Sequence, residues 1–519
     1  MFPGWRRRPD HPPSVGRTWA LLAAIVLGTA ALRLPHDLSF GDFAFGDRGG
    51  WLTVQYLAAH GMRPDVDFRY YYGLLPILAG RLWFGAFGLT PIAFEVAVIL
   101  CGLAVALAMA RLVGAMRLNP IGVAMLAIGA PIAIPSSYYS LAHGLEAALL
   151  SHALAGIANG RRAQALTLAT AACFAKPAMG YVFGFFILIT IMCASMRRDG
   201  SGARHFDYRA ALQELLPAAL TGALLAAILA FVYGVPALLA TILPGAGIRA
   251  YHALGFGLFN QGGRRFYDFP GVPLIAYFGV VVPFWFLGGI WLEIAGAISV
   301  IRLIRDRGGA NGGERRRVAA IVAFCAAAQL IAAFVMFGGP SSWMNYAFLI
   351  VMGVAATAVL SEYCFAPVVT LALIAMVADI GVAIAATREW RTTTPTAETA
   401  GLWASAAERD AWRTIEALAH GHRTMVISDT GAAPLIFPGL AAPVGVYLLP
   451  GDQVGYEFAR VLAGIKSANL VITPTSGNDG DARPRLPWLG DALAGYPVVW
   501  RSADLAVLRN PRPVRAGGG

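Results

Sequence analysis

Long apolar segments separated by short polar stretches occupy most of the chain up to residue 387. A membrane-spanning helix needs about 20 largely apolar residues, so we predict about eleven spans from these segments. They lie near 19–32, 92–110, 120–135, 143–159, 163–176, 179–195, 211–233, 272–301, 318–337, 344–361 and 366–387. The first follows a basic stretch and has no clear small-residue cleavage site after it, which favours an uncleaved helix over a signal peptide. The pattern predicts a polytopic α-helical membrane domain over residues 1–387.

After residue 387 the pattern changes to short β-rich runs separated by Gly and Pro turns. The runs are TMVIS (424–428), ANLVIT (468–473) and YPVVW (496–500), and the segment AERDAWRTIEALAHG indicates a helix that ends at Gly421. These elements predict a small C-terminal α/β domain over residues 388–519, which is within the usual size of a domain.

The composition agrees with a membrane protein. Hydrophobic residues make up 57% of the chain and charged residues only 13%, against about 25% charged in an ordinary soluble domain. So few charges cannot cover a water-facing surface, which excludes a soluble enzyme, a disordered protein and a nucleic-acid binder. The five cysteines form no CxxC pair, so we expect neither a disulfide framework nor a zinc site.

The arginine clusters predict the topology. With the N-terminus in the cytoplasm, every dense cluster falls on a cytoplasmic connection, as the positive-inside rule expects. The clusters are Arg111 and Arg117; Arg161 and Arg162; Arg197, Arg198, Arg204 and Arg209; and Arg302, Arg305, Arg307, Arg315, Arg316 and Arg317. An odd number of spans then places the C-terminal domain on the extracytoplasmic side, together with two loops at 35–72 and 235–271.

The first outer loop (35–72) contains a candidate catalytic carboxylate. Apolar residues at helical spacing predict an amphipathic helix over 50–60 at the membrane interface. Asp47 comes just before this helix, where a carboxylate caps the helix and is favoured by its dipole. It could pair locally with Arg48, or it could act as a general base at the membrane surface. Spacing alone leaves both interpretations open.

Three motifs carry a resemblance to a known family. After the acidic site at Asp47, the first loop ends in PDVDFRYYYG (64–73), and two later stretches are FAKPAMGYVF (174–183) and WMNYAFLIVMGVAATAVL (343–360). In order and placement they resemble the GT-C superfamily, which comprises polyprenyl-phosphate-sugar-dependent membrane glycosyltransferases such as the protein mannosyltransferase and aminoarabinose transferase types. The chain departs from many relatives by having Arg48 after Asp47 where they have Glu.

The resemblance implies a function. We expect transfer of a sugar from a polyprenyl-phosphate donor to a hydroxyl of a lipid, glycan or protein acceptor, on the extracytoplasmic face of a bacterial-type plasma (inner) membrane. Asp47 becomes the expected base. Asp67 is a second catalytic candidate that could orient the sugar or pair with Arg69. Asp65 and Arg69 are candidates for substrate binding, and Asp65 is the weaker of the acidic candidates. We expect no cofactor and no nucleic-acid partner; a divalent cation stays open as an alternative that the sequence does not support.

A fixed cation should neutralise the lipid phosphate as it leaves. Lys176 lies at the predicted outer end of its helix, where it could bind the phosphate or extend to the interface. Arg264 and Arg265 are on the same predicted side, as phosphate ligands or as a solvated pair in the loop. Tyr346 is a candidate for substrate binding, although interfacial aromatics are common.

Two other functions remain open. A secondary transporter or lipid flippase would use buried ionisable residues for coupling, with His143, Glu146 and Asp379 as candidates. Against it, we find no repeat of the kind seen in many transporters. A polysaccharide polymerase or ligase would depend on the second outer loop and its arginines more than on the first loop.

Substitutions separate the transferase from the ligase. If Asp47 is the base, Asp47→Asn abolishes transfer at unchanged expression, because the acceptor proton has no recipient. Substantial residual transfer would remove Asp47 from that role. If a ligase mechanism operates, alanine at Arg264 and Arg265 lowers activity more than alanine at Asp47 does.

Overall fold

The computed structural model describes residues 13–70, 72–137, 140–198, 204–243, 282–305, 312–332, 346–360, 365–427, 431–443, 455–474, 487–502 and 505–513. The chain forms two compact units. The helical unit comprises Met1–Leu32, Val98–Phe231 and Ile242–Ala385, and the mixed unit comprises Arg33–Ala97, Val232–Thr241 and Ala386–Gly519.

Each predicted apolar segment contains a helix. These helices are α1 (Val15–Asp37), α5 (Pro91–Met116), α6 (Pro120–Ser137), α7 (Leu141–Ala158), α8 (Arg162–Ala175), α9 (Pro177–Ser195), α10 (Tyr208–Tyr233), α12 (Val282–Arg305), α13 (Gly312–Ile331), α14 (Ala347–Thr357) and α15 (Phe365–Thr392). Within the described residues, seven of them are long and apolar enough to cross a membrane. They are α1, α5, α7, α9, α10, α12 and α15. The chain is therefore a helical protein with membrane-spanning character, and the number eleven stays a prediction.

Local sequence explains how α7, α8 and α9 turn back on one another. Gly160 follows α7 with a φ of 72°, a left-handed conformation that costs glycine little. Lys176 lies between α8 and α9 in an extended conformation, because the residue before a proline avoids the helical region. Gly180 then lets α9 approach α8, since an ideal Cβ there would lie 2.5 Å from the amide nitrogen of Cys173.

The helical unit also contains one small hairpin among the residues described. Its strands are β1 (Met196–Arg198) and β2 (Arg204–Phe206), which pair antiparallel between α9 and α10.

The C-terminal part of the mixed unit contains the predicted strands. Its elements are β3 (Thr393–Pro395), β4 (Trp403–Ser405), α16 (Ala406–Ala419), β5 (Thr424–Val426), α17 (Ala433–Ile436), α18 (Gly455–Ser467), β6 (Leu470–Pro474), α19 (Pro487–Ala492), β7 (Val498–Arg501) and β8 (Leu505–Arg509). The four-stranded sheet has the order β5-β6-β8-β7, with β5 and β6 parallel. Its core includes Met425, Val461, Ile465 and Leu508. The helix predicted to end at Gly421 is α16, and Gly421 has a φ of 73°.

The first loop folds with this tail in the same unit. It forms α2 (Phe40–Phe45), α3 (Asp47–Ala59) and α4 (Leu75–Phe87), and the unit also takes in most of α11 (Val235–Ile242). Helix α3 lies where the amphipathic helix is predicted, whereas α4 was not predicted. Ala432 donates its N–H to the carbonyl oxygen of Phe43 at 2.9 Å, and the Thr53 hydroxyl donates to the Gly431 carbonyl at 3.1 Å. The tail therefore packs directly against the first loop.

The contact of α8 with α9 predicts a specific sensitivity. We expect Gly180→Ala to lower the free energy of unfolding by about 1–3 kcal/mol, because the new methyl group overlaps the α8 backbone. Gly184→Ala is the matched control, since it lies in the same helix and a Cβ there would meet no atom within 4 Å. Thermal unfolding in detergent measures both. Equal melting temperatures for the two variants would contradict the close packing.

Candidate functional site

Three residues that are far apart in sequence meet in the helical unit. The Nζ of Lys176 lies 3.6 Å from Oε2 of Glu146. The hydroxyl of Tyr346 donates to the same carboxylate, at 3.2 Å from each oxygen. The Lys176 Nζ also lies 5.1 Å from the centre of the Tyr346 ring. We call Lys176, Glu146, Tyr346 and the neighbouring His143 the lysine cluster.

The helices explain these positions. His143 and Glu146 are three residues apart on α7 and so share one face. Lys176 occupies the break before Pro177, and Tyr346 directly precedes α14. His143 lies in the first turn of α7, where its Nδ1 is 2.6 Å from the hydroxyl of Ser140, the N-cap residue. The cluster therefore joins the starts of α7, α9 and α14.

The lysine cluster is almost fully buried. Lys176 is 4% exposed, Glu146 1% and Tyr346 0%. A charge buried to this degree is costly unless a partner of opposite charge accompanies it. The neighbours of Lys176 include the Glu146 carboxylate and the face of the Tyr346 ring, which attracts a cation. A lysine ammonium is a point charge of the kind that proteins use to bind phosphate groups.

A second charged group lies in the mixed unit around Arg48. The Arg48 guanidinium forms ion pairs with Asp37 at 3.0 Å, with Asp42 at 3.3 Å and with Glu95. It also donates a hydrogen bond to the backbone carbonyl oxygen of Asp37 at 3.0 Å. The Arg48 and Glu95 side chains are each only 7% exposed. The three carboxylates come from α1, α2 and α5. Arg48 thus connects the first turn of α3 to three other helices.

The motif at 64–73 and the residue before it form two crossed ion pairs. Arg63 pairs with Asp67 at 3.0 Å, and Arg69 pairs with Asp65 at 2.8 Å. Among the residues described, the partner of Asp67 is therefore Arg63, and the suggested Asp67–Arg69 pair is wrong. The hydrogen bonds from Arg63 hold the pKa of the Asp67 carboxyl below its usual range. A carboxylate with a lowered pKa is a weaker base, so this geometry favours Asp67 as an orienting group.

The remaining predicted residues are Asp47, Arg264, Arg265 and Asp379. Asp47 is the first residue of α3, and the N-cap position belongs to Gly46. The Asp47 side chain, Arg264 and Arg265 lie outside the described part of the chain. No hydrogen bond or ion pair within the described ranges joins Asp379 to His143 or Glu146, and no described group of three His, Cys, Asp or Glu side chains could hold a metal ion.

Sequence reasoning missed two relationships. The sequence indicates Glu146 as a coupling residue for transport, whereas in the structure it is a carboxylate partner of Lys176. The sequence suggests a local pair of Arg48 with Asp47, and the structure shows that Arg48 pairs with three other carboxylates. A buried cation in an apolar segment signals that an acidic partner exists, but that signal does not say which one.

Comparison with known proteins adds no relative. The chain matches no family model, no curated protein sequence and no solved structure. The functional argument therefore depends on the residues and their geometry.

The ion pairs of Arg48 predict that replacing this residue lowers the free energy of unfolding strongly. Arg48→Met removes the cation that pairs with the buried Glu95 carboxylate, and we expect a loss of about 3–5 kcal/mol in the free energy of unfolding. Arg413→Met is the control, because Arg413 also pairs with two carboxylates but its side chain is 54% exposed. We expect a loss of at most about 1 kcal/mol there. Denaturant unfolding in detergent compares them, and equal losses would contradict a special role for Arg48.

Proposed function

We propose that the protein is a membrane glycosyltransferase that moves a sugar from a polyprenyl-phosphate donor to an acceptor hydroxyl. The acceptor oxygen attacks the anomeric carbon, and the bond from that carbon to the phosphate oxygen breaks with inversion. The bonding electrons leave with the lipid phosphate, and the acceptor proton passes to Asp47.

The observation that carries the proposal is the buried Lys176 beside Glu146 and Tyr346. Negative charge grows on the phosphate in the transition state, and a fixed cation in a dry site stabilises it strongly. Lys176 meets this need because it is fixed at a helix break and 4% exposed. The two lysines of the chain contrast sharply, since Lys466 is exposed on α18.

The mixed unit supports the acceptor side of the proposal. The first loop, with Asp47, Asp65 and Asp67, packs against the tail within one compact unit. Segments in direct contact lie on the same side of a membrane. This packing supports one part of the predicted topology, namely that the first loop and the tail share one side of the membrane. That this side is extracytoplasmic, where transfer is expected, stays a prediction.

The same cluster favours a second candidate, an ion-coupled transporter. His143, Glu146 and Lys176 form a buried ionisable group among apolar helices, which is also typical of proton relays. The transporter hypothesis named Asp379 as a further coupling group, but Asp379 does not join this cluster within the described residues. The polymerase or ligase alternative depends on Arg264 and Arg265, outside the described ranges.

The test is breakdown of a panel of polyprenyl-phosphate sugars by the purified protein with a membrane acceptor present. We expect one donor to be consumed, and Lys176→Gln to lower the rate about 100-fold or more, because the leaving phosphate loses its cation. Lys466→Gln is the matched control and keeps the wild-type rate. Both variants are first checked for wild-type thermal unfolding.

Two outcomes contradict the proposal. If the folded wild type consumes no donor, the transporter hypothesis takes its place, and Glu146→Gln should then abolish proton-coupled uptake in vesicles. If donor is consumed equally by wild type and Lys176→Gln, the chain is a transferase but Lys176 does not bind the phosphate.

A further inference from the structure

The loop around PDVDFR (64–69) has a constrained backbone. Asp65 has a φ of 57°, in the left-handed region that side chains other than glycine rarely adopt. A tight turn holds it there, with the Asp65 N–H donating to the Phe68 carbonyl and the Asp67 N–H to the Arg63 carbonyl, both at 2.8 Å. Asp65 and Asp67 therefore project from a turn that is strained at one residue.

The two ion pairs of this loop differ in burial: the Arg69 and Asp65 side chains are 16% and 6% exposed, and only the Arg63–Asp67 pair gives the loop little support. The Arg63–Asp67 pair is exposed, with the Arg63 side chain 49% accessible, and exposed pairs of this spacing contribute little to stability. A strained backbone persists only when the surrounding structure holds it. The loop needs contacts from outside itself.

Helix α18 of the tail supplies those contacts. The Glu457 carboxylate accepts the backbone N–H of Arg69 at 3.1 Å, and Glu457 is 0% exposed. Arg460 donates to the Asp67 carbonyl oxygen at 2.7 Å, and its guanidinium also contacts the sulfur of Met62. Glu457 and Arg460 are three residues apart, so they share one face of α18.

These two contacts act on the loop backbone on either side of Phe68. A buried carboxylate bound to an N–H, and a guanidinium bound to a carbonyl, are charge-assisted hydrogen bonds, which are about twice as strong as neutral ones. They come from a part of the chain that is 388 and 393 residues away in sequence. If Glu457 and Arg460 served only to pack α18 against the loop, neither side chain would have to be charged.

We propose that Glu457 and Arg460 are positioning residues for the glycosyl transfer, and that the tail fixes the places of Asp65 and Asp67. The inference rests on the proposed function, which it deepens. It gives the tail a specific task in the transfer. It also predicts that the first loop does not reach its active conformation without α18.

The experiment uses the full chain in detergent with two readouts. Hydrogen–deuterium exchange of the peptide covering 62–70 reports the loop directly, whether or not a donor is known. The second readout is the rate of sugar transfer from the donor that the panel of polyprenyl-phosphate sugars identifies, measured at several concentrations of donor and acceptor. The variants are Glu457→Gln, Arg460→Met and Arg460→Lys, and the control is Lys466→Met, an exposed position on the same helix.

We expect Glu457→Gln and Arg460→Met to speed exchange in this peptide about tenfold, since each weakens a charge-assisted hydrogen bond. We expect kcat to fall about tenfold while the KM for the donor stays within about twofold, because the donor phosphate is bound elsewhere, at Lys176. Arg460→Lys keeps a cationic donor and restores most of the activity. Lys466→Met matches the wild type in both readouts.

Each other result decides against part of the inference. Unchanged exchange in Glu457→Gln and Arg460→Met shows that α18 does not hold the loop. Faster exchange with wild-type kcat shows that α18 holds the loop but does not position catalysis. If the wild type consumes no donor, the proposed function fails, and the positioning role of Glu457 and Arg460 in transfer fails with it. The exchange data still establish whether the tail orders the loop.

Discussion

A charge placed among apolar helices must find its partner inside the protein, because hydrocarbon offers no water to solvate it. The pair of Lys176 with Glu146 meets this requirement and connects the break between α8 and α9 to α7. Tyr346 adds its hydroxyl to the same carboxylate and brings in the start of α14. The helical unit is thereby tied together at one point, where its proposed phosphate-binding group also lies.

The mixed unit follows the same rule with different residues. Arg48 is buried, and the carboxylates that compensate it belong to α1, α2 and α5. Glu457 is buried as well, and it satisfies a backbone N–H of the first loop. Because these charges lie where water is scarce, each one requires a specific neighbour. The first loop and the tail consequently form one unit although most of the chain separates them.

Most of the helices could be predicted from the sequence, since an apolar segment of this length has few other stable forms in a membrane. Helix α4 was missed because its 13 residues are fewer than a span needs and follow the motif at 64–73. The strands of the tail were found from their β-rich runs. Their order, β5-β6-β8-β7, could not be found, because pairing depends on which side chains share a core and not on position along the chain.

The candidate site divides in the same way. The residue types and their rough locations could be predicted from the sequence alone. They include a lysine at a Lys-Pro helix break, a carboxylate and a histidine on one helical face, and an acidic first loop. Backbone preferences and hydrophobic patterning act over a few residues, so these features are local. The tertiary structure was needed to show that Lys176 meets Glu146 and Tyr346, that Asp67 pairs with Arg63, and that α18 contacts the backbone of the first loop. Those pairings depend on compensating buried charge across the fold, and the partner can lie at any distance along the chain.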